Sequence, residues 1–281
     1  MSDISNASPE NSALGKKTAY DTHYDPDRLF PILRSINRDK INVPEKIPFF
    51  GFDIWNHCEV SWLNEKGKPI VGLAEIIYDC HSSYIIESKS MKLYFNSFNN
   101  TKVKDLETLR SMVAHDLTSR IGMVAHINIT PIADVKREII MPSFSSVCID
   151  NLDITCDTYT LNPSFLHVEN EQASETLHSD LLKSNCLVTN QPDWGSVEIS
   201  YEGRKINHAG LLRYIVSFRN CNEFSETSIE RIFMDIMKQC RPEKLTVYGR
   251  FTRRGGLDIN PYRSTHKTTF DKISNIRLCR Q

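Results

Sequence analysis

NSFNN at residues 96–100 and VSFRN at residues 216–220 share a Ser-Phe pair and a closing asparagine, 120 positions apart (217 minus 97). At the same offset Leu109, Met112, Val113 and Leu117 fall on Ile229, Ile232, Phe233 and Met237, and Ala125 and Ile127 fall on Leu245 and Val247. Two amphipathic helices resemble each other by chance often enough that this stripe alone decides little. With the Ser-Phe element and a following strand in one register, internal duplication is the better reading.

The surrounding elements follow one rhythm: two strands, two helices, a strand. FDIWNHCEVSW, the turn NEKGKP with Gly67, and IVGLAEIIYD read as a hairpin. KSMKLYFNSF reads as a helix, residues 103–119 as a clearer one, and VAHINI as a returning strand. In the second half the order is a strand at SVEISYEG, helices at LLRYIVSF and SIERIFMDIMK, and a strand at KLTVYGRF. Antiparallel strands with helices gathered on one face give an α+β class. No G-x-G-x-x-G occurs, so a doubly wound dinucleotide fold is excluded. Pro26, Pro31, Pro44 and Pro48 punctuate a polar start, which predicts an extended arm over 1–50, a first module over 51–140 and a second over 141–281.

Composition narrows the partners. Lys plus Arg number 34 against 35 Asp plus Glu, so there is no global basic field to hold a nucleic-acid backbone, and a small-molecule partner is expected. No run approaches the ~20 apolar residues of a membrane span, and MSDISNASPENSALGKK is polar where a signal peptide would be apolar. The expectation is a cytoplasmic protein. Its eight cysteines form no C-x-x-C pair and no zinc-like spacing with histidine, so no metal site is expected.

The densest group of reactive residue types is LLKSNCLVTNQPDWGS, residues 181–196. Lys183, Ser184, Asn185 and Cys186 precede a Gln191-Pro192-Asp193 turn, which puts the thiol in a loop near a strand, with a cation and a carboxylate close in sequence. On these residues alone, a half-buried cysteine before a turn is the commoner outcome.

Four motifs in order change that balance: ESKSMKLY at 87–94, SNCL with QPDWGS within 184–196, FRNCNEFSE at 218–226 and RRGGLDINP at 253–261. Together they resemble the 7-cyano-7-deazaguanine reductase family of queuosine tRNA-modification biosynthesis, in its long two-module form, from about Gly15 onward. The resemblance implies two tandem tunnelling-fold modules, each an antiparallel sheet with a pair of helices on one face, associated as a homodimer without nucleic acid or membrane. It implies an NADPH-dependent oxidoreductase that reduces a deazapurine nitrile to the aminomethyl group through a covalent thioimide. Cys186 would be the nucleophile and Asp193 the proton donor. Ile86, Glu87, Ser88, Phe224, Ser225 and Glu226 would bind the substrate, the two carboxylates taking the guanine-like edge. Ser88, Lys89, Arg254 and Gly255 would bind NADPH, with Arg253 and Arg263 as further cations.

The role of Phe224, base wall or core aromatic, stays open. Ser225 departs from the family's usual histidine, and a serine is no acid at neutral pH. Sites in this fold lie where modules meet, which would bring Glu87 towards Cys186. A zinc cyclohydrolase-like enzyme is disfavoured by the missing ligand set. A weakly active or non-catalytic purine- or pterin-binding protein of the same fold is the alternative.

Overall fold

The structure is a computed structural model that describes residues 23–136 and 140–281. The polar start of the expected arm, residues 1–22, lies outside the described residues. The chain divides into two compact units, one of residues 1–40, 54–138 and 253–258, the other of residues 41–53, 139–252 and 259–281.

In the first unit, part of the expected arm is built into the body. It forms a short strand β1 (Pro31–Leu33) and helix α1 (Arg34–Lys40), with Leu29 and Ile32 buried. Strand β2 (Phe50–Leu63) turns at Asn64, whose side chain accepts the N–H groups of Lys66 and Lys68, into β3 (Pro69–Asp79). A short β4 (Tyr84–Ile86) pairs antiparallel with β1. Helices α2 (Ser88–Ser97) and α3 (Leu106–Ile121) follow, and β5 (Ala125–Pro131) pairs antiparallel with β3, giving the sheet order β5-β3-β2.

The second unit opens with two short strands, β6 (Ile140–Met141) and β7 (Val147–Cys148). The long hairpin of β8 (Val168–Asn185) and β9 (Pro192–Ile206) comes next, then helices α4 (His208–Val216) and α5 (Ser225–Gln239). Strands β10 (Lys244–Phe251), β11 (Leu257–Ser264) and β12 (Arg277–Leu278) complete it, with the sheet order β11-β10-β9-β8-β7. Sequence reading finds the end of this hairpin but misses most of β8, whose VENEQASETLHSD stretch is polar on its outward face. It also passes over β11, which contains Pro261.

The two units repeat one device. Tyr94 donates its hydroxyl to Asp116 at 2.6 Å, and Tyr214 donates to Asp235 at 2.7 Å. Phe98 meets Tyr94 edge-on with centroids at 5.3 Å, as Phe218 meets Tyr214. Asp235 is one residue short of the constant offset, and so is Arg241, which takes the left-handed conformation of Gly122 after the helix (φ 51° and 76°). The second helix has therefore slipped by one residue, which corrects the expected helix pairing: Val113 matches Ile232 and Leu117 matches Ile236, all buried. Apolar neighbours such as Ile232 and Phe233 keep a stripe intact under a one-residue slip, so periodicity could not detect it.

Candidate active site

A β-bulge sets the face on which the Cys186 segment emerges. Ser179 pairs with Val197, but the next pair is Leu182 with Gly195, so Asp180 and Leu181 oppose a single residue of β9. Strand side chains alternate between faces. Leu177 and Ser179 point to the helix side before the bulge, and afterwards the even-numbered Leu182 and Ser184 do. The bulge is pinned by Asp150, which accepts the Ser179 hydroxyl at 2.5 Å and the Asp180 N–H at 2.8 Å, and by Arg280, which donates to the Asp180 carbonyl at 2.6 Å.

Cys186 follows at the end of β8, in the loop the sequence predicts. It is 4% exposed, its N–H donates to the Gln191 carbonyl at 2.8 Å, and its carbonyl accepts from Asn190 at 3.1 Å. Asp193 stands opposite Ser184, and so on the helix-side face. Lys183 is on the other face: its ammonium donates to Asn185 Oδ1 at 2.5 Å and to the Arg219 carbonyl at 2.7 Å. The cation expected beside the thiol is thus spent on the β8 end and the 217–220 turn.

Asn185 joins this loop to the start of α5. Its N–H donates to the Cys221 carbonyl at 2.8 Å, and its carbonyl accepts the Glu223 N–H at 3.0 Å, a parallel bridge centred on Asn222. Phe224, Ser225 and Glu226 follow directly at the helix start, with Ser225 and Glu226 buried and Phe224 half-buried as the N-cap residue. Burial, with Glu223 adding to it, pushes the nearby Cys221 thiol up to about 12, so this second cysteine is kept neutral. Within the second unit the structure therefore brings Cys186, Asp193, Phe224, Ser225 and Glu226 together.

In the first unit, Ile86 ends β4, paired with Pro31, and the Glu87 N–H donates to the Phe30 carbonyl at 2.9 Å. Glu87 is 1% exposed and caps α2: one carboxylate oxygen accepts the Lys89 N–H at 2.7 Å, the other the Ser90 N–H at 2.8 Å. Burial raises its carboxyl above the usual range against the pull of those donors. A capping role was not expected of it. The Ser88 hydroxyl adds a third donor at 3.4 Å, which leaves one further lone-pair direction open on the carboxylate.

Arg254, Gly255, Gly256 and Leu257 form a two-residue hairpin turn, with Arg254 and Leu257 exchanging N–H···O bonds at 3.0 and 3.3 Å. Both glycines have positive φ (57° and 72°), the type I′ geometry that disfavours any side chain. The Gly256 carbonyl accepts from the Cys58 N–H at 2.8 Å and from His57 Nδ1 at 3.2 Å. Burial lowers the His57 pKa to about 4, so the ring is neutral. Gly255 lies against Lys92, one turn along α2 from Ser88 and Lys89. Ser88, Lys89, Arg254 and Gly255 are thereby gathered in this unit, with Lys92 and His57 as members the sequence did not mark. Arg263 is no cofactor cation: it is wholly buried in the second unit, ion-paired with Asp53 at 2.8 Å and Glu230 at 2.9 Å. Among the described residues Asp79, Cys80 and His81 bring donor atoms within 4.8 Å of one another, and Asp79 is already bonded to the His81 ring at 2.8 Å.

The fold and these two groups define an α+β protein of two tandem tunnelling-type modules, one with a buried hairpin cysteine, the other with cations around a capped helix start and a glycine turn. Two family models match it: "Nitrile reductase, 7-cyano-7-deazaguanine-reductase N-term" over residues 20–129 and "QueF-like protein" over residues 192–269. A protein of Legionella pneumophila (strain Lens) named NADPH-dependent 7-cyano-7-deazaguanine reductase is 58% identical over 271 residues, covering 96% of this chain and 95% of its own. Its namesake from Ralstonia nicotianae is 50% identical over 274 residues, 96% and 99% of the two chains. The chain belongs to the 7-cyano-7-deazaguanine reductase family. No helix among the described residues is long and apolar enough to cross a membrane.

Proposed function

We propose that this chain is an NADPH-dependent reductase that converts the nitrile of 7-cyano-7-deazaguanine to the aminomethyl group, a cytoplasmic step of queuosine biosynthesis. In this reading residues 51–140 and 141–281 act as the two modules, 1–50 as the arm, and the enzyme works as a homodimer that does not bind nucleic acid. The observation that supports it most is the Asn185 bridge to Cys221 and Glu223, which ties the cysteine loop to the start of α5.

The Cys186 thiolate adds to the nitrile carbon, one C–N π bond opens, and the nitrogen takes a proton from Asp193. The product is a thioimide. Two hydrides, which bound NADPH would supply, take this carbon to the amine, and between them the C–S bond breaks so that Cys186 leaves as the thiolate. Ser88, Lys89, Arg254 and Gly255 would hold the cofactor; the cations suit its phosphates, and the type I′ turn presents bare backbone where a side chain would intrude. In the second unit Glu226 accepts from the N1–H and exocyclic amine of the base, with Phe224 and Ser225 beside it; in the first unit Glu87, with Ile86 and Ser88, offers a further acceptor for the same guanine-like edge. Ser225 offers a hydrogen bond and no acid, so the proton duty falls on Asp193.

The direct test is NADPH oxidation on adding the nitrile to purified protein. Two NADPH oxidised per nitrile consumed is expected. No oxidation at any substrate level would overturn the reading.

A further inference from the structure

Ser184 is 0% exposed, and its hydroxyl has no hydrogen-bond partner in the protein. A buried hydroxyl left without a partner destabilises the fold, and native proteins tolerate few. Serine here is therefore a poor choice for packing, where alanine would serve better. The hydroxyl is also not aimed at random. The Asp180–Leu181 bulge turns Ser184 to the helix-side face, directly opposite Asp193 and two residues before Cys186. Directly paired strand residues hold their Cβ atoms ~5 Å apart. Ser184 and Asp193 thus share one face of the hairpin, at the end from which the Cys186 loop emerges. Thr189, three residues after Cys186 in the same loop, also buries a hydroxyl oxygen without a partner.

We infer that Ser184 is a further substrate-contacting residue, its hydroxyl donating a hydrogen bond to the nitrogen of the nitrile bound at Cys186. The inference rests on the proposed reduction of that nitrile. No bond of Ser184 is made or broken: Asp193 supplies the proton, and Ser184 holds the nitrogen in line while charge gathers on it. This gives the nitrogen a fixed donor in a protein that has Ser225 where the family's usual residue is an imidazole.

Two measurements on Ser184→Ala test it together: thermal unfolding of the free protein, and the rate at which 7-cyano-7-deazaguanine, without NADPH, adds to Cys186 by intact mass. Removing a group that only the ligand satisfies should raise the melting temperature by about 2 °C and slow the adduct about tenfold. A lower melting temperature, or a variant that does not fold, shows the hydroxyl to be structural and overturns the inference. So does an adduct formed at the wild-type rate. A wild-type protein that forms no adduct at all fails earlier, at the proposed function itself.

Discussion

Asp150 accepts the backbone N–H of Asp180 at 2.8 Å while its other oxygen takes the Ser179 hydroxyl at 2.5 Å. One carboxylate thereby fixes the bulge that decides which face carries Ser184, with Cys186 two residues beyond. Asp150→Ala should cost about 2 kcal/mol of stability and slow nitrile addition at Cys186, because the strand can then relax out of its bulged register. Denaturant unfolding and adduct kinetics check this; an unchanged adduct rate would free the thiol's placement from the bulge.

Glu87 holds two helix N–H groups, so its loss acts on stability besides any effect on the proposed base binding. Glu87→Ala should destabilise the protein by about 1 to 2 kcal/mol, as removal of a strong cap does. Glu87→Gln should lose a similar share, since the amide sets its own NH2 against one of the two donors. Equal unfolding of wild type and both variants would show that the cap contributes nothing.

His57 makes stability depend on pH. Its folded pKa of about 4 lies below the ordinary 6.5, so between those values the unfolded chain binds a proton that the folded chain does not. Stability contributed by the neutral ring is present above pH 6.5 and is lost as pH falls towards 4, by on the order of 3 kcal/mol. His57→Gln keeps a donor for the Gly256 carbonyl and removes the titration. Its stability should fall less steeply than that of wild type from pH 7 to 4.5 in chemical denaturation; parallel curves would contradict a buried neutral His57.

Variants of the RRGG turn test the proposed cofactor role separately from thiol chemistry. Gly256→Ala places a Cβ 2.6 Å from the Glu59 side chain at φ 72°, and Gly255→Ala places one 3.2 Å from Lys92 at φ 57°. Both should raise KM for NADPH several-fold while leaving NADPH-free adduct formation on Cys186 near wild type. If adduct formation falls with them, the turn serves the substrate rather than the cofactor.

Much of this was legible in the residues. Alternation and stripe located the first hairpin, both helix pairs and the returning strands, and the repeat was visible because Ser97 and Phe98 recur as Ser217 and Phe218. The one-residue helix slip was not, because caps and the Tyr214–Asp235 bond fix register while an apolar stripe tolerates the shift. The sequence put Cys186 in a loop but credited Lys183 with proximity to it; only strand alternation after a bulge shows the ammonium on the opposite face. Bulges have no composition signal, and Asp150 lies 30 residues from the backbone it pins. Glu87 read as a base ligand, and its capping bonds emerged only with the start of α2.

In the proposed mechanism Cys186 is the carbon nucleophile. Intact and peptide mass spectrometry of the protein with 7-cyano-7-deazaguanine, in the absence of NADPH, measures this most directly. The expected result is a single addition of the whole nitrile mass, localised to Cys186 and absent from Cys186→Ala, with NADPH consumption lost in that variant. An unmodified Cys186, or nitrile-dependent NADPH oxidation that survives Cys186→Ala, would contradict the covalent mechanism.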